Sequence, residues 1–261
     1  MEDESAFTAV VEEFEDAAGD LAAQRCGTLP AGARNAHAPA IPDYLEDTYW
    51  WAYLRPGSVW LFEREWLVNL ILWGQMRRLT REVLKELKGL SGEAVLQLAC
   101  VYGEFSRLLA RQLEENGSDL HLLDVAPIQL RNARKKLQDC NNVRFHHQDA
   151  SDLDFMGNRF ARSVLFFLLH EQPETVRRKT IAEAIRVTRP GGKLILVDYH
   201  LPSPTHPLRY LMWPVLHYLE PFALDLWRHD LCHFLPPGMD PRRVRSEFFF
   251  GGLYQKVVIH C

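Results

Sequence analysis

From residue 93 onward, short runs of β-branched residues and leucine alternate with amphipathic stretches, a pattern that predicts a parallel sheet flanked by helices. Strands are expected over 94–98, 120–124, 143–146, 163–168 and 194–198, with helices over 105–115, 127–138 and 174–188. Arg189-Pro190-Gly191-Gly192 should break the last helix and turn the chain into the fifth strand. Two more β runs, 245–250 and 254–260, flank Gly251-Gly252 and predict a terminal hairpin. Between the fifth strand and this hairpin lies an apolar, aromatic insertion, residues 201–241. Ahead of the sheet, Val59, Phe62, Trp66, Leu70 and Trp73 recur at helical spacing, which predicts one long amphipathic helix over 58–88.

Composition narrows this picture. With 47% hydrophobic side chains in 261 residues, the chain can bury a full core. Residues 1–40 lack periodicity and read as a flexible acidic tail; 41–90 form an aromatic helical extension and 91–261 the main domain. The formal charge of -4 is owed to the acids of the first twenty residues, and the remainder is slightly basic. That surplus is too small to argue for nucleic acid, so none is expected as a partner, and it does not oppose an anionic membrane surface. Five scattered cysteines without a C-x-x-C spacing indicate a reducing compartment. The acidic start predicts no export or transit signal, and the apolar run from Trp66 to Trp73 is too short to span a bilayer, so any membrane contact is expected to be peripheral.

In a doubly wound sheet, ligands sit beyond the carboxyl ends of the strands. The first strand-to-helix turn here is Gln97-Leu98-Ala99-Cys100-Val101-Tyr102-Gly103, a glycine loop that keeps only its last glycine. Asp124 ends the second strand about twenty residues after Gly103, where a carboxylate can accept both ribose hydroxyls of a nucleoside. Asp149-Ala150 follow the third strand, where a carboxylate and a backbone N–H can read an adenine edge; Val125 lies beside the ribose position. One such aspartate would read as a helix cap, but two on consecutive strands favour a nucleoside site. The segments AVLQLACVYG, HLLDVAPIQLRNARKKL, NVRFHHQDASDLDF, FFLLHEQP and IRVTRPGGKLILVD together resemble the class I methyltransferases. The resemblance implies a Rossmann-like fold with a seven-stranded, mostly parallel sheet, a C-terminal antiparallel hairpin, and S-adenosylmethionine as cofactor. The cofactor would contact Gln97, Ala99, Tyr102, Gly103, Asp124, Val125, Asp149 and Ala150. Gln97 stands where the family carries an acid near the methionine end, and Ala161-Arg162 where many members have Phe-Asp.

All seven tryptophans lie outside the sheet region. Trp60, Trp66 and Trp73, at helical spacing, read as core-facing. Tyr44, Tyr49, Trp50, Trp51 and Tyr53 follow no single period and suit a wall of rings around a flat apolar ligand. Trp213 and Trp227, in the insertion, would close the other side or dip into a headgroup layer. The front segment PDYLEDTYWWAYLRPGSVWLFEREWLVNLILWGQMRRL, with QLACVYG, resembles the rhodoquinone-biosynthesis family of methyltransferase-like proteins. That resemblance implies conversion of ubiquinone to rhodoquinone, a ring methoxy being replaced by an amino group from S-adenosylmethionine. It also implies a manganese ion and a peripheral position on the cytoplasmic side of the inner membrane. Tyr44, Tyr49, Trp50, Tyr53 and Trp213 would then hold the quinone.

For such chemistry, groups at the ends of the fourth and fifth strands should face the reacting atoms. His170 follows the fourth strand and Asp198 and His200 follow the fifth; imidazole and carboxylate ligands suit manganese, which makes these three the catalytic and metal-binding candidates. His229 and His233, four apart, could share a helix face but lack a third ligand. Two other functions fit the same residues: a conventional methyltransferase acting on a lipophilic quinone or phenol, and a non-catalytic cofactor-binding subunit.

Overall fold

The computed structural model describes residues 39–49 and 56–261. Its centre is a seven-stranded sheet in the order β3-β2-β1-β4-β5-β7-β6, built from β1 (Ala94–Leu98), β2 (Asp119–Asp124), β3 (Val143–His147), β4 (Phe160–Phe166), β5 (Thr188–Tyr199), β6 (Val244–Phe249) and β7 (Tyr254–His260). The first five pair in parallel, and β7 runs antiparallel to both β5 and β6. This is the Rossmann-like class I methyltransferase architecture, hairpin included.

Side chains alternate across β1: Val95 joins the core on one face of the sheet, Leu96 and Leu98 the core on the other. The first core takes Leu79 and Val83, Leu109 and Leu113, and Leu130 from the helices before and after β1 and β2. The second takes Ile181 and Ala184 from the helix between β4 and β5, and Leu226, Leu231 and Phe234 from the insertion. Burying these faces is what orders the helices, since none is long enough to persist alone in water.

Nine helices are described, and the front of the chain departs from expectation. Instead of one helix over 58–88 there are three, α2 (Pro56–Phe62), α3 (Glu65–Ile71) and α4 (Met76–Glu86), preceded by α1 (Asp43–Thr48). The break after α3 has a local cause: Trp73 and Gly74 both take left-handed backbone, φ 52° and 76°, and the Gly74 amide closes on the Asn69 carbonyl. Next come α5 (Phe105–Glu114), α6 (Pro127–Lys136) and α7 (Glu174–Val187), with α8 (Leu208–Leu219) and α9 (Ala223–Arg228) in the insertion.

Arg189-Pro190-Gly191-Gly192 is not a turn ahead of the strand. It lies within β5 as a bulge, where pairing jumps from Phe160 with Thr188 to Arg162 with Lys193. A Cβ on Gly192 would sit 2.7 Å from the Arg189 carbonyl oxygen and 2.8 Å from that of Ala161, so only glycine fits.

Candidate functional site

A cleft opens beyond the carboxyl ends of β1, β2 and β4 and is roofed by α1, α2 and α3. Its walls include Ala99, Tyr102, Asp124, Val125, Asp149 and Ala150 of the expected nucleoside side. Asp124 is buried, and both carboxylate oxygens are engaged: Oδ2 accepts from the Cys100 amide at 2.8 Å and Oδ1 from the Ala126 amide at 2.8 Å. Each oxygen keeps a second lone pair, so the group still offers acceptors to a diol. Burial raises its pKa, against which the two amides work. Asp149 Oδ1 accepts from the Ser151 amide at 2.7 Å, which fixes the carboxylate at the end of β3. Tyr102 lies over Phe62, ring centroids 5.7 Å apart, and its hydroxyl accepts from Gln129 Nε2 at 2.7 Å. Thus the large residue in the first turn packs under the front helix and lines the cleft at once.

Two of the expected cofactor contacts stand back from the cleft. Gln97 is fully buried behind the loop, donating from Nε2 to the Ala99 carbonyl and to Ser106 Oγ, both at 2.9 Å. Gly103, at φ 75°, likewise does not line the cleft; its carbonyl accepts from Lys136 Nζ. The eroded loop keeps glycine-like geometry without glycine: Ala99 sits at φ 70°. On the neighbouring strand Phe167, also on the cleft wall, sits at φ 56°. Two strained non-glycine residues at adjacent strand ends mark this edge as shaped for a ligand, each costing about 1–3 kcal/mol.

The far end of the cleft is charged. His170 is buried, its Nδ1 2.9 Å from Asp198 Oδ1. Asp198 is held rigidly: Oδ2 accepts from the amides of Leu169 and His170, and Oδ1 from that of Tyr199. On the other side of the ring, Nε2 lies 3.7 Å from Glu171 Oε1 and 3.7 Å from Glu220 Oε2. Burial opposes the imidazolium, but Asp198, Glu220 and Glu171 outweigh it and push the His170 pKa up to about 10. At neutral pH the ring is therefore a cation facing the cleft. Burial in turn raises the pKa of Glu220.

Arg177 fixes this corner. Fully buried, it donates to the carbonyls of Leu169, Gln172 and Phe222, with its guanidinium 4.6 Å over the Phe234 ring. It thereby ties the turn bearing His170 to the insertion bearing Glu220. Glu220 was missed from sequence, although it is the single carboxylate between Asp198 and Asp225 in an otherwise apolar insertion.

The expected triad of His170, Asp198 and His200 does not assemble. His170 and Asp198 do meet, but Nδ1 of His200 is bonded to the Gly252 carbonyl at 2.8 Å and its ring packs on Phe248, away from the cleft wall. Among the described residues no group of three His, Cys, Asp or Glu side chains is set to hold a metal ion, so the residues do not fit the manganese that the resemblance implied. His229 and His233 stack on each other, centroids 4.0 Å apart.

Of the expected substrate wall, Tyr44 and Tyr49 line the cleft beside Phe62, Val68, Ile71 and Leu72. Burial raises the pKa of both phenols, keeping them neutral donors. Trp50, Trp51 and Tyr53 lie outside the described residues. Trp213 does not face the cleft; it is exposed on α8 and stacks on His217. Trp227, expected to close the ligand wall or enter a headgroup layer, is buried in the core. Trp60, Trp66 and Trp73, expected in the core, are 65%, 60% and 37% exposed.

Residues 95–192 match the methyltransferase domain family model. Over 141 residues the chain is 32% identical to the ubiquinone/menaquinone biosynthesis C-methyltransferase of Azotobacter vinelandii, covering 52% of this chain and 54% of that protein. Over 137 residues it is 26% identical to the demethylmenaquinone methyltransferase of Staphylococcus saprophyticus, covering 52% of this chain and 58% of that one. The chain spans little more than half the length of these curated relatives. Among solved structures, a candidate S-adenosyl-L-methionine-dependent methyltransferase of Methanococcus maripaludis superposes with a TM-score of 0.51 at 13% identity, over 78% of this chain and 91% of that one. The N-methyltransferase NodS of Bradyrhizobium japonicum gives 0.50 at 13% identity, over 70% and 94%. These likenesses establish the fold.

Proposed function

We propose that the protein is an S-adenosylmethionine-dependent transferase acting on the ring of a lipophilic quinone, and that it replaces a ring methoxy with an amino group. The observation that carries this reading is the asymmetry of the cleft. One end presents Asp124 and Asp149 to a nucleoside, the middle is walled by Phe62, Val68, Ile71 and Leu72, and the other end holds a cationic His170. The relatives that are named for ubiquinone and menaquinone biosynthesis support a quinone-type substrate. The front segment's likeness to the rhodoquinone-biosynthesis family supports amination.

The geometry suits addition to a quinone. When the α-amine of S-adenosylmethionine adds to the methoxy-bearing ring carbon, negative charge develops on a ring oxygen, and departure of the methoxy group as methanol restores the quinone; loss of a Cβ proton then breaks the N–Cα bond, releasing the aminoquinone and leaving the methionyl chain as an α,β-unsaturated carboxylate. An imidazolium held by Asp198 can donate to that oxygen, while Tyr44 and Tyr49 offer neutral hydroxyls. Glu171 and Glu220, beside the imidazolium, are placed to take the proton the amine gives up.

The second reading, C-methylation of a quinol ring, is favoured by the 32% relative. Product analysis separates the two. Purified protein with S-adenosylmethionine and a short-tailed ubiquinone should yield an aminoquinone detected by mass spectrometry. A methylated ring with S-adenosylhomocysteine, formed from a demethylated quinol, would replace amination by methylation.

A further inference from the structure

Helix α8 reads LRYLMWPVLHYL, apolar on almost every side. A helix of that kind is normally enclosed by core. Here only Leu208, Met212 and Leu216 are buried, a single stripe, while Tyr210, Leu211, Trp213, Tyr218 and Leu219 stand in the open. Helix α3 is more extreme: none of its residues is buried, and Trp66 and Leu70 are 60% and 63% exposed. The two helices meet, because Trp73, just past α3, donates from its indole nitrogen to Met212 Sδ at 3.4 Å. Their outward faces therefore form one apolar surface from two separate parts of the chain.

Cations outnumber acids around these helices, and the one acid of α3, Glu65, is paired with Arg77 at 2.9 Å. From Trp66 to Arg81 there is no acid, and Arg77, Arg78 and Arg81 follow the apolar run; from Leu201 to Leu219 there is again no acid, and Arg209 stands among the rings. Arg64 lies 4.1 Å over the ring of exposed Trp60. Indole and phenol rings among an excess of arginines match the headgroup layer of an anionic bilayer, where rings enter the acyl boundary and guanidinium groups meet phosphate. No helix of the described residues is long and apolar enough to cross a membrane, so the contact would be made from one side.

The surface also meets the cleft. Ile71 lines the cleft and is itself 39% exposed, and the residue after α8, Glu220, is on the cleft wall. We propose that α3 and α8 form a docking face for an anionic lipid surface at the cleft mouth, through which a lipophilic substrate enters from the bilayer. The docking face stands on its own observations; the entry route rests on the quinone reading above.

The test is co-sedimentation of the full chain with quinone-free vesicles, of phosphatidylcholine alone and with an equal part of phosphatidylglycerol. The chain should pellet with the anionic vesicles and be released by high salt. The double variant Trp66→Ser, Trp213→Ser should bind on the order of tenfold or more weakly, whereas Met156→Ser, at an exposed apolar position elsewhere, should bind as the parent does. Thermal melts of both variants should stay close to the parent's, since all three side chains are more than half exposed.

Three outcomes would overturn the docking face: a parent that stays in the supernatant, a double variant that pellets undiminished, or a concentration-dependent dimer that buries these tryptophans and ignores vesicles. Turnover of a soluble short-tailed quinone is measured in parallel. A chain that binds vesicles but modifies no quinone keeps the docking face and loses the functional reading, and the converse result does the opposite.

Discussion

Lys136 grips Glu63, its Nζ 2.8 Å from Oε1 and 3.1 Å from Oε2, while the same ammonium donates to the carbonyls of Val101 and Gly103. A loop that has lost most of its glycines is thus clamped from α6, and the front helices are pinned to it by one cation. Asn132 adds a further bond to Glu63 Oε1 at 2.8 Å.

Replacing Lys136→Met should therefore cost about 3 kcal/mol, the low end for breaking a buried pair because Glu63 keeps some solvent. Cofactor affinity should fall with it, since the carbonyls that shape the loop lose their donor. Urea denaturation and calorimetric titration check both, and Glu63→Gln combined with Lys136→Met should lose less than the sum of the two single changes.

Asp124→Ala removes the acceptor for the Cys100 and Ala126 amides as well as the expected ribose contact. Affinity for S-adenosylmethionine should fall by roughly 1.5–3 kcal/mol per hydrogen bond lost. Calorimetry giving an unchanged dissociation constant would remove Asp124 from the nucleoside site.

Gln97 bears on how far the missing acid explains the chemistry. Restoring the acid the family carries, by Gln97→Glu, would place a carboxylate against the Ala99 carbonyl in a fully buried position, in place of an amide that donates there. The expected outcome is a lower melting temperature, by the several kcal/mol an unpaired buried charge costs, with any fall in aminoquinone formation following the loss of folded protein. A variant that melts normally yet aminates slowly would instead put Gln97 in contact with the cofactor.

The raised pKa of His170 makes stability depend on pH. Below the ordinary histidine value near 6.5 the ring is charged in both folded and unfolded chains, and its stabilising contribution is complete. Between there and about 10 only the folded chain keeps the proton, so stability should decline as pH rises through that window. Urea midpoints measured across it should fall for the parent, and the slope should be flatter in His170→Gln.

The parallel strands were legible because each is a short apolar run bounded by turn residues, and Asp124 and Asp149 because strand ends fix their spacing. What escaped was set by tertiary contact. Trp60 and Trp66 have the spacing of a core stripe, yet the sheet's face is already covered by α4 and α5, so they point outward. Glu220 has no spacing relation to His170, fifty positions earlier in the chain; only the path of the insertion brings them together. His200 looked equivalent to His170, but the Gly252 carbonyl of the hairpin turn captures it.

Arg177 also decides what kind of object the insertion is. Its guanidinium spans from the Leu169 carbonyl to that of Phe222, and Leu226, Leu231 and Phe234 complete a core the sheet would otherwise leave open. Residues 201–241 are therefore not a removable cap, and excising them would strand a buried cation. Grafting this segment onto a sister domain to transfer its chemistry would have to carry the arginine of α7 along, so the two parts form a single unit of inheritance.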